Sequence, residues 1–265
     1  MQTGRLTRVA LRIATGATLA FIYFPILLIV IYSLNTDTTP RWPPTGFTLE
    51  WWALAFENSG LQQAFLTSVT VALAATVIAL ILGTLASMAV ARYQFFGRET
   101  ISFFVIFPIA LPGIVTGMAL SRTFALVGFD LGWFSIVVGH ATFCVVLVYN
   151  NTIARLRRTS RSLEEASADL GGDTWTTFRR ITFPQMRSAL LAGALLAFAL
   201  SFDEVIVTIF TAGGVQTLPI WIFQSFRLAN QVPLVNVAGL IAILLSVIPV
   251  YFASRITNGE NTGRF

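Results

Sequence analysis

The segment EEASADLGGDTWTTFRRITFPQ, residues 164–185, is the least hydrophobic long stretch of the chain and lies between two long apolar runs. It contains four acidic residues, two arginines, a Gly-Gly pair and a proline. Of the 265 residues, 55% are hydrophobic and only 11% are charged. A soluble fold would not tolerate this composition on its surface. The segment is therefore predicted to be a polar connection within a membrane protein.

Six apolar runs, each bounded by charged or polar residues, are long enough to cross a bilayer, which takes roughly 20 residues. An even number of spans places both termini on one side, so the predicted fold is an all-α membrane protein with six transmembrane helices. The first run is too long for the apolar region of a signal peptide and is interpreted as a retained span. The runs cover 13–34, 62–91, 100–121, 131–154, about 188–211 and 234–254.

Arginine placement orients these spans. The chain has no lysine, and with the N-terminus inside, 14 of its 17 arginines fall on the cytoplasmic side. This is the asymmetry expected of inner loops. It predicts that both termini and the 164–185 segment are cytoplasmic. The net charge of +5 is then explained by the arginines on the cytoplasmic side of the membrane, and no nucleic-acid partner is expected.

The polar segment has the local signals of two short helices. Ser162 followed by Glu165 has the spacing of an N-terminal capping box. Gly171 favours a left-handed C-cap, and Asp173 can cap a second helix. Pro184 is expected to end that second helix, because it has no amide donor. Both helices would be amphipathic, with apolar faces formed by Leu163, Ala166 and Leu170 and by Trp175 and Phe178.

The same segment resembles the EAA loop of permease subunits in type I ABC importers, whose pattern is E-A-A-x3-G-x9-I-x-L-P. Ser167 replaces the second alanine and Phe183 replaces the leucine, and both keep size or apolarity. The resemblance extends to FPIALPGIVTGMAL (107–120), GHATFCVVLVYNN (139–151) and AGALLAFALSFDEVIVTIFTAG (192–213), which look like the polyamine branch of these permeases. The residues that match the EAA pattern are Glu165, Ala166, Ser167, Gly171, Ile181 and Pro184.

The resemblance implies a permease subunit of the bacterial inner membrane. Its coupling loop, residues 160–186, would dock on a cytoplasmic ABC ATPase dimer. A second permease subunit would complete a heterodimer, and an extracytoplasmic binding protein would deliver putrescine or spermidine. The plainer alternative for the loop is an amphipathic segment lying on lipid headgroups. The implied division of the chain is a first helix and outer loop (1–61), a permease core (62–257) and a cytoplasmic tail (258–265).

No enzyme activity or bound cofactor is expected of this chain alone. A Walker A loop needs a lysine to reach the phosphates, and the chain has none. ATP and Mg²⁺ would therefore bind the partner ATPase. His140 lies one turn before Cys144, but no third ligand or orienting carboxylate is near enough for a metal or nucleophile site. His140 is expected to be packed or to bond neighbouring helices.

Two regions with glycine and proline carry weaker signals. Gly113 and Gly117 form a GxxxG motif in the third span, beside Pro108 and Pro112. This pattern favours a kinked helix in close contact with another helix, with a moving gate as the alternative. The stretch 212–233 would either lie along the outer surface and touch a binding protein, or serve as an interfacial anchor.

The sequence SFDEV places Asp203 and Glu204 inside the fifth span, next to Phe202. A carboxylate at that depth costs a few kcal/mol unless it faces protein or water. Asp203 lies about 15 residues beyond Ser188, or roughly 22 Å into a ~30 Å core. One interpretation is a substrate path in which an acid offers an ammonium group a weak site. The other is an ion pair with Arg122.

Three classes of function remain open on the sequence. An importer permease explains the coupling loop, although its cargo could also be another small amine or amino-acid-like solute, such as GABA, an opine or an aminophosphonate. A secondary transporter would need internal repeats and ion sites of its own, and no convincing repeat is present. An intramembrane enzyme would need a catalytic constellation. ATP-dependent uptake that vanishes without a cognate ATPase separates the first class from the other two.

Overall fold

The computed structural model describes residues 4–228 and 231–262. Five of its helices are long and apolar enough to cross a membrane, or six if the bent pair Arg98–Ala110 and Gly113–Leu126 counts as one span. This confirms the prediction of an all-α protein with several apolar spans. The helices are α1 (Arg5–Ser33), α2 (Glu50–Glu57), α3 (Ser59–Arg92), α4 (Arg98–Ala110), α5 (Gly113–Leu126), α6 (Trp133–Arg158), α7 (Ser162–Asp169), α8 (Thr174–Thr177), α9 (Phe183–Phe202), α10 (Ile206–Thr211), α11 (Leu218–Ser225) and α12 (Val232–Thr262).

One compact unit contains the residues up to Gln62 together with Trp221–Ile243. Its first helix, α1, buries Ser33 and leaves most of its apolar side chains exposed. After α1 the chain folds back so that Asn35 pairs with Phe47 in an isolated bridge. The Trp51 indole donates a 2.8 Å hydrogen bond to the Asn35 carbonyl and fastens α2 to this turn.

Some predicted regions fall partly outside the described residues. This holds for residues 1–3 of the predicted first domain, for 229–230 of the stretch 212–233 and for 263–265 of the predicted tail. Within that stretch the structure has the short helix α11. The first part of the tail continues α12 as far as Thr262.

The other unit, Gln63–Ile220 with the residues from Leu244 onward, is built around α6. Small residues let neighbouring helices approach α6 closely. A β-carbon on Gly83 of α3 would lie 2.9 Å from Val148 Cβ, and one on Gly193 of α9 would lie 3.2 Å from Val148 Cα. One apolar cluster, formed by α3, α6, α9 and α10, consists of Ala79, Phe143, Cys144, Val148, Ala197 and Val207.

Replacing Gly83 by valine is expected to destabilise this unit. The new side chain would collide with the Val148 side chain and with the Val145 carbonyl, which lies 3.0 Å from the β-carbon position. Overpacking of this kind costs about 1–3 kcal/mol. Thermal unfolding in detergent should therefore shift to lower temperature. Gly16→Val in α1 is the matched control, since no atom lies within 4 Å of its β-carbon position. Equal unfolding temperatures for the two variants would contradict the packing.

The third span is broken rather than kinked. Helices α4 and α5 are bent by 107° relative to each other. Leu111 is extended, with ψ 140°, because the ring of Pro112 disfavours helical geometry in the residue before it. Gly117 contacts the Phe210 ring, which lies 2.8 Å from its β-carbon position, and Gly113 faces Ile206 at 3.4 Å. The GxxxG motif therefore packs α5 against α10, and the predicted close contact between helices is present.

The fifth span begins earlier than its predicted bound at residue 188, and its helix is interrupted at the two acids. The helix is continuous from Thr174 to Phe202, and a separate helix, α10, follows after a break at residues 203–205. Pro184 does not end the second short helix, contrary to the prediction. A π-helical turn over Phe178–Thr182 precedes it, and Pro184 lies in the first turn of α9. The widened turn changes the hydrogen-bond register, so the missing proline N–H is accommodated within a continuing helix.

Candidate functional site

The first helix of the coupling loop, α7, begins without the predicted capping box. The backbone N–H groups of Glu164 and Glu165 donate to the Arg161 carbonyl, at 3.0 and 3.1 Å. The Ser162 amide instead donates to the Ser160 hydroxyl at 3.2 Å. Because this serine turn starts the helix one residue earlier, the Ser162 hydroxyl is not at the capping position. The prediction of a Ser162–Glu165 box is wrong.

The turn after α7 has the geometry predicted for its glycine pair. Gly171 has φ +83°, a left-handed conformation that favours glycine. The Gly172 amide donates to the Ser167 carbonyl at 2.8 Å, which closes the end of α7. The Ser167 hydroxyl is also 2.8 Å from that of Thr177, so α7 and α8 are joined directly. The two helices form one compact corner.

Asp173 caps the second helix, as predicted. Its carboxylate accepts a 2.9 Å hydrogen bond from the backbone N–H of Thr176. Hydrogen bonding by the side chain and backbone of Thr176 lowers the pKa of Asp173 below its usual value. The cap is therefore present above the unfolded-state pKa and is lost as the pH falls through the lowered folded-state pKa. Since α8 runs on into α9, this cap starts the long helix that ends at Phe202.

Glu164, which no motif in the sequence singled out, connects the coupling loop to the end of α3. Its carboxylate lies 2.9 Å from Nη2 of Arg92, and the two side chains are 19% and 12% exposed. The same oxygen accepts a 3.2 Å hydrogen bond from the Thr182 hydroxyl. The Arg161 guanidinium donates to the Arg92 carbonyl at 2.8 Å. No spacing rule in the sequence links residue 92 to residue 164, so this contact can be recognised only in the tertiary structure.

The coupling loop presents apolar side chains that the described part of the chain leaves largely exposed. Leu170 is 89% exposed and Trp175 is 63% exposed. The Trp175 ring stacks on that of Phe178, with centroids 5.7 Å apart. An exposed apolar surface on a rigid, capped corner is typical of an interaction site. Of the residues that match the EAA pattern, Glu165, Ala166, Gly171 and Pro184 are exposed, while Ser167 and Ile181 are half-buried.

The acidic pair of the fifth span lies in the break between α9 and α10. Asp203 is exposed, whereas Glu204 is half-buried. Glu204 Oε1 accepts a 2.9 Å hydrogen bond from the Val207 N–H, so this carboxylate caps α10. Among the residues that the structure describes, neither acid has an ion-pair partner, and the pairing with Arg122 considered above is absent.

Phe202 is packed inside the subunit, with 1% of its surface exposed. Its ring meets that of Phe65 edge-on at 6.3 Å and stacks on Phe198 at 6.0 Å. Its place on a substrate path stays a prediction. In this structure the ring anchors the end of α9 directly before the break.

These features define a class of protein. A bundle of apolar spans, a break in one span that carries acids, and an uncovered rigid corner between two spans are features of a transport subunit. Residues 79–258 match the family described as "Binding-protein-dependent transport system inner membrane component", and the chain belongs to this family. The family is one of transporter permeases rather than catalytic enzymes.

Individual relatives place the chain in the polyamine branch of these permeases. It is 34% identical to the spermidine/putrescine transport system permease protein PotC of Haemophilus influenzae, over 91% of this chain and 94% of that one. It is 32% identical to PotC of Escherichia coli, over 93% of each chain. The putrescine transport system permease protein PotI of Escherichia coli is 34% identical over 78% of this chain and 76% of that one. The resemblance found in the sequence is confirmed.

Solved structures support the fold. A chain from a bacterial ABC transporter involved in the import of the acidic polysaccharide alginate superposes with a TM-score of 0.71, at 17% identity, over 98% of this chain and 99% of that one. A chain from the MetNI methionine ABC transporter, in inward-facing conformations, has a TM-score of 0.60 at 16% identity, over 80% of this chain and 99% of that one. At these identities the likeness concerns architecture alone.

Proposed function

We propose that the chain is a permease subunit of an ATP-driven importer in the bacterial inner membrane, with both termini and the coupling loop in the cytoplasm. The observation that carries this proposal is the coupling loop. Its two helices are joined by the Gly171 turn, capped by Asp173 and anchored by Glu164, yet they leave Leu170 and Trp175 uncovered. A rigid corner with an uncovered apolar surface can transmit force to a partner that binds it.

The partner of this surface is proposed to be a cytoplasmic ABC ATPase dimer. The motif residues Glu165, Ala166 and Gly171 lie on the exposed side of the loop, where a docking cleft can reach them. ATP and Mg²⁺ would bind that partner, because a chain without lysine has no Walker A loop. This chain would hold no cofactor of its own.

A second permease subunit is proposed to complete the pathway. Within the described residues, the most apolar stretch of α1 is not buried, so lipid or another subunit has to cover it. A heterodimer of related permeases would supply that cover and enclose a path that one subunit cannot enclose alone. An active, ATP-independent monomer would contradict this arrangement.

The proposed cargo is a polyamine, putrescine or spermidine, delivered by an extracytoplasmic binding protein. The relatives in the polyamine branch support this choice. The chain itself supplies Asp203, an exposed carboxylate without an ion-pair partner among the described residues, in the break of the fifth span. A carboxylate attracts an ammonium group, and a single one holds it weakly enough to release it.

Reconstitution of the full transporter in proteoliposomes tests this function. The chain, its cognate ATPase, the second permease and the binding protein should take up radiolabelled putrescine or spermidine only when ATP is present at the ATPase. Uptake without ATP would indicate a secondary transporter. Uptake of GABA, an opine or an aminophosphonate in place of polyamines would be consistent with the proposed ATP-driven importer but would contradict the proposed cargo.

The contact between Arg92 and Glu164 gives a test of force transmission. Arg92→Glu or Glu164→Arg should lower uptake by about fivefold, because each places like charges in a mostly buried contact. The double variant, which restores opposite charges, should recover most of the uptake. Glu164→Gln is the matched control, since its amide oxygen can still accept from Thr182. Equal loss in the single and double variants would show that the ion pair does not transmit the movement.

A further inference from the structure

His140 connects the two helices that flank the break in the fifth span. It lies in α6 and is 1% exposed. Its Nδ1 is 2.8 Å from the hydroxyl of Ser201, in the last turn of α9. Its Nε2 is 2.9 Å from the hydroxyl of Thr208, in α10. One ring therefore bonds both sides of the break at residues 203–205.

The direction of each hydrogen bond follows from the groups involved. The Thr208 hydroxyl donates its single proton to the Glu204 carbonyl at 2.7 Å, and a carbonyl can only accept. Thr208 must then accept from His140, so Nε2 carries the proton. In a neutral ring Nδ1 is then an acceptor, and Ser201 donates to it. The chain of donors runs from Ser201 through His140 and Thr208 to the backbone of Glu204.

We propose that His140 is a positioning residue that fixes both ends of this break and thereby the orientation of Asp203 and Glu204. Irregular backbone at membrane depth persists only where its polar groups are satisfied or line a cavity. Here α10 begins with its Val207 N–H bonded to the Glu204 side chain, and its Thr208 side chain is held by His140. The acids are thus held between two anchored helix ends. This inference rests on the proposed function, in which Asp203 meets the cargo.

Other roles for His140 do not fit its surroundings. His140 and Ser201 are 1% and 2% exposed, so neither the ring nor the hydroxyl is open to a substrate, and both ring nitrogens are already hydrogen-bonded. The nearby Cys144 thiol is also engaged, since its sulfur donates to the Ala197 carbonyl at 3.3 Å. Within the described residues no three metal-binding side chains come together. The ring also contacts Phe143 of its own helix, with centroids 5.5 Å apart, but both of its hydrogen bonds are directed at the break.

The tautomer can be measured directly because His140 is the only histidine of the chain. The full chain, labelled with ¹⁵N-histidine, purified without a histidine tag and embedded in lipid bilayers, should show one neutral ring with the proton on Nε2. A ring protonated on Nδ1, or a mixture of tautomers, would overturn the proposed network.

Transport kinetics test the positioning role in the reconstituted transporter. His140→Leu keeps the bulk of the side chain and removes both bonds, and it should raise KM for putrescine on the order of tenfold. His140→Gln, which retains a donor for Thr208, should recover part of this loss. In an Asp203→Asn background His140→Leu should have little further effect, because the group that it positions is already altered. Ser87→Ala is the control, since the Ser87 hydroxyl bonds within its own helix, to Thr84.

The outcomes separate this inference from the function on which it rests. An equal rise in KM from His140→Leu with and without Asp203 would show a merely structural role and overturn the inference. Normal uptake by Asp203→Asn would instead overturn the cargo contact. If His140→Leu does not fold, His140→Gln and the tautomer measurement still decide the question.

Discussion

Replacing Gly171 by valine is expected to abolish most transport while leaving the chain folded in the membrane. Gly171 has φ +83°, which a β-branched residue adopts only with strain. The strain is about 2 kcal/mol or more, enough to reduce the correctly bent form of the coupling loop by more than about tenfold. No atom lies within 4 Å of the β-carbon position, so the effect would come from the backbone and not from a collision. ATP-dependent polyamine uptake in proteoliposomes measures it.

Gly171→Asn is the matched control, because asparagine tolerates the left-handed conformation far better than valine. It should retain most of the uptake. Gly172→Ala tests the same turn by another route, since its β-carbon would lie 2.6 Å from the Ser167 hydroxyl and 2.8 Å from the Ser167 carbonyl oxygen. Wild-type uptake by Gly171→Val, with the ATPase still co-purifying, would show that this corner does not couple the two proteins.

The features of the coupling loop that the sequence predicted are those determined by a few neighbouring residues. The left-handed turn at Gly171 and the cap at Asp173 each depend on one residue and the backbone beside it. The stacking of Trp175 on Phe178 follows from their spacing of one helical turn. Because these features depend on neighbouring residues and not on tertiary contacts, the folded chain keeps them as the sequence predicts.

Predictions failed where two local signals competed. The Ser162 amide donates to the Ser160 hydroxyl and Ser162 is already the first residue of α7, so the box with Glu165 is absent. Pro184 usually ends a helix, but the π-helical turn over Phe178–Thr182 lets the helix continue. Beside this proline the Gln185 carbonyl accepts a 2.8 Å hydrogen bond from Arg155 of α6, a tertiary contact that a linear pattern does not contain.

The sequence did not predict this break in the helix of the fifth span, because one of the residues that contact it lies in another part of the chain. SFDEV stands within one long apolar run, which predicts a single helix interrupted only by charge. In the structure α9 ends at Phe202 and α10 starts at Ile206, His140 bonds both sides of this break, and Glu204 caps the second helix. The break in the third span was closer to prediction, since Pro112 beside Leu111 already favoured a bend.

Asp203→Asn is expected to lower polyamine uptake strongly without harming the fold. The carboxylate is exposed and has no ion-pair partner among the described residues, so the fold does not depend on its charge. Removing a charge at membrane depth even relieves a cost of a few kcal/mol. A charge-assisted contact with an ammonium group contributes about 1.5–3 kcal/mol. Uptake KM for putrescine should therefore rise by about tenfold to about a hundredfold.

Glu204→Gln is the control that separates the two acids, because it removes the same charge one residue away. The glutamine side-chain oxygen can still accept from the Val207 N–H, so the start of α10 is preserved. Its uptake should change much less than that of Asp203→Asn, and the binding protein's own affinity should be the same with either variant. Normal import by both variants, or a wild-type preference for an anion, would contradict a cation path at Asp203. A larger loss of uptake for Glu204→Gln than for Asp203→Asn would show that Glu204, the carboxylate that caps α10, contacts the cargo in place of Asp203.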